Sequence, residues 1–272
     1  MEKRQSPASA SEQQNRASAL GSREADMSFV DQLWQRGQPL LSRMMEHPFN
    51  CELAAGSLDR ATFVHYLQQD EYYIQDYIRA LELLAERTAD DSLRHDLTQY
   101  ATEGLELEQA MQREFFSRYQ IESAAVRTLA CSEYGGFLLD QARNAAQPVA
   151  LAALLPCFWF YWEVGRQLLR TTVSGNPYQS WIATYSGDEF RDQVATLLDH
   201  VEYQAGLTSP EERKLMIDGF ITSALLELTF WETIYFCHCS GRGSGDASTK
   251  DRINPSMGLS CRHPGARRPS TL

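Results

Sequence analysis

The chain has 272 residues, of which 43% are hydrophobic and 11% aromatic, so it can bury a substantial core. Its formal net charge is −11, and an acidic surface argues against nucleic acid or an anionic membrane as a partner. It has no run of about 18 apolar residues, which predicts that no transmembrane helix is present.

Residues 1–26 are rich in Ser, Ala, Gln and Arg and have little to bury, which predicts a disordered N-terminal extension. This stretch lacks the apolar segment of a secretory signal, and its acidic residues argue against a mitochondrial transit peptide. We therefore expect a cytoplasmic protein. In that compartment the six cysteines would be free thiols.

From residue 27 to about 236, apolar residues recur at spacings of three and four, which predicts one helical domain. The stretch HPFN breaks the first helix at residue 47, and Ser209 followed by Pro210 has the pattern of a helix start. Strand-like alternation is missing, so the predicted fold class is all-α, a single compact bundle. The helical segments after the first are predicted over 57–87, 90–116, 128–144, 149–173, 176–206 (broken at Ser186–Gly187) and 208–236.

Residues 237–272 are rich in Gly, Ser, Arg and Pro and lack periodicity, which predicts a disordered C-terminal tail. A zinc site is conceivable on paper, but the spacing matches no strong pattern, so we favour an unstructured tail and expect no metal. The residues concerned are Cys237, His238, Cys239, Cys261 and His263.

One helix face carries Tyr66, Asp70, Tyr73 and Tyr77, at positions i, i+4, i+7 and i+11. Tyrosines on an inner face are usually core residues whose hydroxyls find partners. A carboxylate among them costs several kcal/mol to bury unless it is satisfied. Asp70 is therefore a candidate for a functional site as much as for a structural hydrogen bond.

Two further residues could carry chemistry. Glu227 lies in the apolar stretch LLELTFW, so it is either buried with a raised pKa or paired with a donor on another helix, whereas Glu232 is expected to be solvated. Cys157 follows Pro156, which indicates a kink or a helix start, and a helix start would lower the thiol pKa. A lone cysteine on an apolar helix is more often core filler.

Tyr134 in CSEYGGF and Tyr185 in WIATYSGDEF each lie near glycine, which permits close backbone approach. Either tyrosine could instead be a capping aromatic. Taken in order, these stretches resemble the TenA family of thiaminase II enzymes over about residues 28–236. The resemblance rests on HPF, YLQQDEYY, CSEYGGFLL, LLPCFWFYWEVG, NPYQSWIATYSGDEF and LLELTFW.

The resemblance implies a haem-oxygenase-like helical fold, usually a homotetramer. It implies hydrolytic release of an aminopyrimidine, without a cofactor, either from thiamin or, more importantly, from thiamin breakdown products in salvage. It implies that Cys157 is the nucleophile and Glu227 the acid/base carboxylate. The substrate-binding residues that it implies are Asp70, Tyr73, Tyr134 and Tyr185. The long N-terminal extension and the tail after Phe236 depart from the family pattern.

Two other functions were weighed. A haem or di-iron enzyme would need paired ligands such as Glu-x-x-His, whereas His47, His65, His95 and His200 are scattered over the predicted helices. A non-catalytic protein that binds thiamin or its pyrimidine is compatible with the same fold. The combination of a thiol with two carboxylates favours an enzyme over a binder, because a binder has no need of the thiol.

Overall fold

The computed structural model describes residues 27–121 and 125–240, apart from the side chains at 108, 112 and 237–240. The predictions for residues 1–26, for 241–272 and for the cysteine and histidine side chains of the tail lie outside the described part. Within the described part the chain folds into helices joined by short loops, with no strand. The all-α prediction is confirmed.

The helices follow the predicted order along the chain. They are α1 (Phe29–Met45), α2 (Pro48–Ala54), α3 (Arg60–Arg87), α4 (Asp91–Met111), α5 (Ser117–Tyr119), α6 (Leu129–Asn144), α7 (Gln147–Thr171), α8 (Gln179–Ser186), α9 (Asp188–Leu207) and α10 (Pro210–Ser240). A π-helical turn (Gln112–Phe116) joins α4 to α5. Helix α10 continues past Phe236, the boundary that composition suggested.

Side chains that precede the helices satisfy the free backbone N–H groups of the first turn. Asp59 accepts from the N–H of Thr62 at the start of α3, and Thr128 accepts from Cys131 at the start of α6. Ser209 accepts from the N–H of Glu212, so the predicted start of α10 is confirmed. These caps fix where the long helices begin and therefore which faces they turn inward.

Helix α7 is the centre of the bundle and contacts α1, α2, α3, α6, α8, α9 and α10. By length and composition it could cross a membrane, but 94% of its most apolar window is buried inside the protein. A helix that is apolar on all sides is stable in water only when other helices cover it, as they do here. The helix that the sequence predicts over 149–173 is therefore present and lies at the centre of the bundle.

Candidate active site

The predicted face of α3 points into the bundle. Tyr66, Asp70, Tyr73 and Tyr77 are all buried, the aspartate being only 3% exposed. The ring of Tyr66 stacks on Trp231 of α10 at 5.3 Å between centroids. The hydroxyl of Tyr77 donates to a backbone carbonyl of α7 at 2.7 Å. This face therefore joins α3 to α7 and α10, the helices that carry Cys157 and Glu227.

Glu227 is buried in α10 and receives a hydrogen bond from α6. The Tyr134 hydroxyl donates to Glu227 Oε2 at 2.9 Å, and Ser223 Oγ lies 3.3 Å from the same hydroxyl, to which it donates. Burial raises the pKa of Glu227 from 4.5 to about 7, although the Tyr134 hydrogen bond acts in the opposite direction. A carboxyl group with this pKa can exchange a proton near neutral pH. Both alternatives drawn from the sequence hold, because Glu227 is buried with a raised pKa and also accepts from a donor on another helix.

Cys157 lies in the middle of α7, which corrects one of the alternatives drawn from Pro156. The helix begins ten residues earlier, with Pro148 in its first turn, so Pro156 is inside the helix and Cys157 is not at an N-terminus. Burial, and then the negative charge of Glu227, raise the pKa of the Cys157 thiol well above its ordinary value. The neighbouring Tyr73 and Tyr77 hydroxyls offset this rise only in part.

A cavity of about 650 Å³ opens beside these groups. Asp70, Cys157 and Tyr185 line it, together with Tyr161 one helical turn after the cysteine. Tyr73, Tyr134 and Glu227 are buried and are not among the lining residues. Glu227 and Tyr73 nevertheless lie close enough to Cys157 to affect the pKa of its thiol, and Tyr134 stacks on Tyr73. The structure thus places three of the predicted site residues in the lining of one cavity of a size usual for small-molecule sites, with the other three packed near the thiol.

Several buried polar atoms around this cavity have no protein partner at hydrogen-bonding geometry within the described residues. They are the hydroxyls of Tyr66, Tyr73 and Tyr161, the indole N–H of Trp181 and Oε1 of Glu227. Buried polar groups in folded proteins are nearly always satisfied, so such a cluster indicates the place of a polar ligand or water.

Sequence reasoning missed Tyr161 and Trp181 as site residues. The rings of both pack on Tyr185, at centroid distances of 5.0 and 4.7 Å. A signal for Tyr161 was present, because it follows Cys157 by four residues and must lie on the same face of α7. No comparable signal existed for Trp181, which reaches the site from a separate helix.

Comparison with known proteins agrees with this geometry. The profile of the TENA/THI-4/PQQC family matches residues 34–237. The chain belongs to this family. Proteins named aminopyrimidine aminohydrolase, from Halalkalibacterium halodurans and from Bacillus subtilis strain 168, are each 31% identical to it. The alignments span 219 and 193 residues, which are 77% and 70% of this chain and 96% and 82% of those proteins.

A solved structure of a TenA homologue from P. horikoshii OT3 is 26% identical to the chain and superposes with a TM-score of 0.70. The superposition covers 77% of this chain and 99% of that one. The fold is therefore the helical haem-oxygenase-like fold of TenA homologues, as the resemblance implied.

Two glycines of this TENA/THI-4/PQQC chain allow close approaches at the site. A Cβ on Gly165 would lie 2.4 Å from the carbonyl oxygen of Tyr185, so only glycine lets α7 lie against α8 at this point. A Cβ on Gly135 would overlap the ion pair of Arg127 with Asp76, which ties the start of α6 to α3. The contact at Gly165 holds α8, which carries Tyr185, close to α7. The contact at Gly135 holds α6, which carries Tyr134, close to α3.

Two other stretches that carry the family resemblance are structural. His47 caps α2 through Nδ1, and burial lowers its pKa to about 4, so it is neutral at physiological pH. Asn176 donates from Nδ2 to the carbonyls of Leu53 and Ala54, and its Oδ1 accepts from the N–H of Tyr178. Both residues fix the ends of helices around the bundle and lie outside the cavity lining.

Potential metal ligands are dispersed in this family member. Among the described residues, no three His, Cys, Asp or Glu side chains are grouped so that they could hold a metal ion. His200 pairs instead with Asp96 at 2.6 Å.

Proposed function

We propose that this protein hydrolyses aminopyrimidine degradation products of thiamin, and thiamin itself, to release the hydroxymethyl aminopyrimidine in thiamin salvage. The observation that carries the proposal is a thiol, Cys157, and a carboxylate, Asp70, in the lining of one cavity, with a second buried carboxylate, Glu227, close enough to act on the thiol. The names of the relatives support the same reaction class. A cytoplasmic homotetramer that acts without nucleic acid or membrane is part of the proposal and rests on the family resemblance and the acidic composition.

Recognition falls to Asp70 and the surrounding aromatic rings. The amino group of an aminopyrimidine is a donor, from which a buried carboxylate at the cavity lining can accept, and the neighbouring ring nitrogen is an acceptor that a hydroxyl can satisfy. The tyrosine and tryptophan rings beside Asp70 supply a slot of the right chemistry for an aromatic ligand. Its hydrogen bonds would satisfy the buried hydroxyls that have no protein partner.

Attack requires a proton transfer, because the raised pKa of Cys157 keeps the free thiol protonated at neutral pH. The Glu227 carboxylate accepts the thiol proton and passes it to a ring nitrogen of the substrate. The sulfur then forms a bond to the adjacent ring carbon, which that protonation has made electrophilic. A carboxyl group with a pKa of about 7 suits both halves of this transfer.

Release follows from the adduct. The electrons of the ring expel the leaving group from the exocyclic methylene as its C–N bond breaks. The aminomethyl compound, protonated on its amine, loses ammonia, whereas thiamin loses a neutral thiazole. Water adds to the methylene and gives up one proton, forming the hydroxymethyl group. Finally the C–S bond breaks, the ring nitrogen loses its proton, and Cys157 and Glu227 return to their starting states. In the net reaction a hydroxyl group from water replaces the ammonium or thiazolium, and ammonia or thiazole is released with one proton.

The test is incubation of the purified protein with 4-amino-5-aminomethyl-2-methylpyrimidine, with product analysis by mass spectrometry and binding by calorimetry. We expect the hydroxymethyl pyrimidine and ammonia in equal amounts, with no effect of a chelator. Binding without turnover would instead establish a non-catalytic pyrimidine-binding protein. Absence of both would refute the assignment of the cavity to aminopyrimidines.

A further inference from the structure

The outer part of the cavity is acidic. Its lining includes Asp70, Glu71, Glu103, Glu106, Asp188 and Glu189, and none of the described lining residues is Lys, Arg or His. These carboxylates come from α3, α4 and α9, so the fold collects them from three separate segments. We call Glu71, Glu103, Glu106, Asp188 and Glu189 the mouth carboxylates.

The mouth carboxylates differ in how firmly they are held. Glu103 is half-buried and accepts hydrogen bonds from Gln99 and Gln193, neither of which carries charge. Glu106 and Glu189 are exposed at the rim. Asp188 is exposed and forms an ion pair with Arg191, which also pairs with Asp192. The rim therefore keeps an excess of negative charge after its local cation is counted.

The cavity is also larger than an aminopyrimidine requires. A ten-heavy-atom pyrimidine occupies only part of about 650 Å³, and the remaining wall includes Ile74, Ile78, Leu107 and Met111. At the inner end, the Tyr161 hydroxyl is buried, lines the cavity and has no partner at hydrogen-bonding geometry in the described structure. The polar ligand atoms thus belong at the inner end, with an apolar and acidic space beyond them.

We infer that this outer space is a leaving-group subsite that selects unphosphorylated, cationic groups and excludes phosphate esters. The inference rests on the proposed function. A protonated amine or a thiazolium ring attached to the pyrimidine methylene would lie among apolar side chains with carboxylates around it. A phosphate ester there would bring a charge of about −1.5 to −2 against the mouth carboxylates, and none of the described lining residues is basic.

Simple electrostatics sets the size of the effect. At roughly 10 Å in a water-like dielectric, each carboxylate strengthens the binding of a unit positive charge about twofold. The same carboxylate weakens the binding of a phosphate, with its roughly doubled negative charge, about fourfold. Removing two carboxylates should then lower kcat/KM for a cationic leaving group about fourfold and raise it for a phosphate ester about tenfold. Both changes should shrink strongly above about 0.5 M salt, because the rim is exposed.

The experiment measures kcat/KM at low salt for thiamin, thiamin monophosphate and the aminomethyl pyrimidine. Three enzymes are compared: wild type, the rim variant Glu106→Gln/Glu189→Gln, and a control variant. The control, Glu46→Gln/Glu211→Gln, removes two exposed carboxylates elsewhere, one at the end of α1 and one on α10. We expect wild type to prefer thiamin over its monophosphate by at least about 30-fold. Thiamin monophosphate keeps the thiazolium charge of thiamin, so only the phosphate changes the ratio of the two kcat/KM values. The rim variant should therefore narrow this preference by about tenfold, and the control should leave it unchanged.

The outcomes separate the two proposals. If wild type turns over none of the three compounds, the proposed function fails. If wild type is active but accepts the monophosphate within twofold of thiamin, or if the control narrows the preference as much as the rim variant, the subsite assignment is wrong and the proposed function stands.

Discussion

Replacing Tyr134 with phenylalanine removes one hydrogen bond from Glu227 and leaves the ring in place. The lost contact is the 2.9 Å donation from the hydroxyl to Glu227 Oε2. Because this donation favours the ionised carboxylate, its loss must raise the pKa of Glu227 further above the present value of about 7. The stacking of the ring on Tyr73, at 4.6 Å between centroids, is retained.

The magnitude follows from the strength of the bond. A hydrogen bond to a charged group contributes about 1.5–3 kcal/mol, and 1.36 kcal/mol corresponds to one pKa unit, so the pKa of Glu227 should reach roughly 8 to 9. In the proposed reaction the ionised carboxylate takes the thiol proton. At pH 7 the activity of Tyr134→Phe should therefore fall about five- to fiftyfold and recover as the pH rises above 9.

The assay is kcat/KM for the aminomethyl pyrimidine between pH 5.5 and 9.5. Tyr178→Phe is the matched control, since it removes another buried tyrosine hydroxyl, which donates to a backbone carbonyl at 2.6 Å remote from Glu227. That variant should lose about 1 kcal/mol of stability and keep the wild-type dependence of kcat/KM on pH. An acidic limb that stays near pH 7 in Tyr134→Phe would show that Glu227 is not the group that titrates.

Two further predictions concern stability. Because the pKa of Glu227 is about 7 in the folded state and 4.5 ordinarily, the wild-type free energy of unfolding should fall by about 3 kcal/mol as pH rises between these values. Glu227→Gln still accepts from a hydroxyl but cannot ionise. In urea titrations it should be more stable than wild type at pH 8 and about as stable at pH 5. The same difference in stability at both pH values would refute the raised pKa. Gly165→Ala forces a Cβ against the backbone at Tyr185 and should cost about 1–3 kcal/mol and lower kcat/KM. Gly136→Ala, whose Cβ would meet nothing within 4 Å, should leave stability unchanged or raise it. A similar loss of stability in Gly165→Ala and Gly136→Ala would contradict the packing argument.

Local patterns predicted what depends on one helix at a time. The spacing of Tyr66, Asp70, Tyr73 and Tyr77 placed them on one buried face, and the apolar neighbours of Glu227 indicated its burial. Both conclusions hold because the period of a helix fixes which side chains share a face.

Features that depend on how helices meet could not be predicted. Pro156 is compatible in sequence with a helix start, but the helix begins at Gln147 with Pro148 in its first turn. The hydrogen bond between Tyr134 and Glu227 joins residues 93 positions apart, and no pattern in either helix specifies it. The mouth carboxylates are likewise dispersed over three helices, so their shared cavity appears only in the folded chain.

The most direct test of the central claim is the turnover of the aminomethyl pyrimidine by Cys157→Ser beside Cys51→Ser, a partly buried thiol outside the cavity lining. If the sulfur of Cys157 forms the adduct, kcat should fall by at least about two orders of magnitude, equivalent to about 2.7 kcal/mol of barrier, while substrate binding is retained and Cys51→Ser remains active. A Cys157→Ser enzyme with wild-type kcat would show that the reaction proceeds without the thiol.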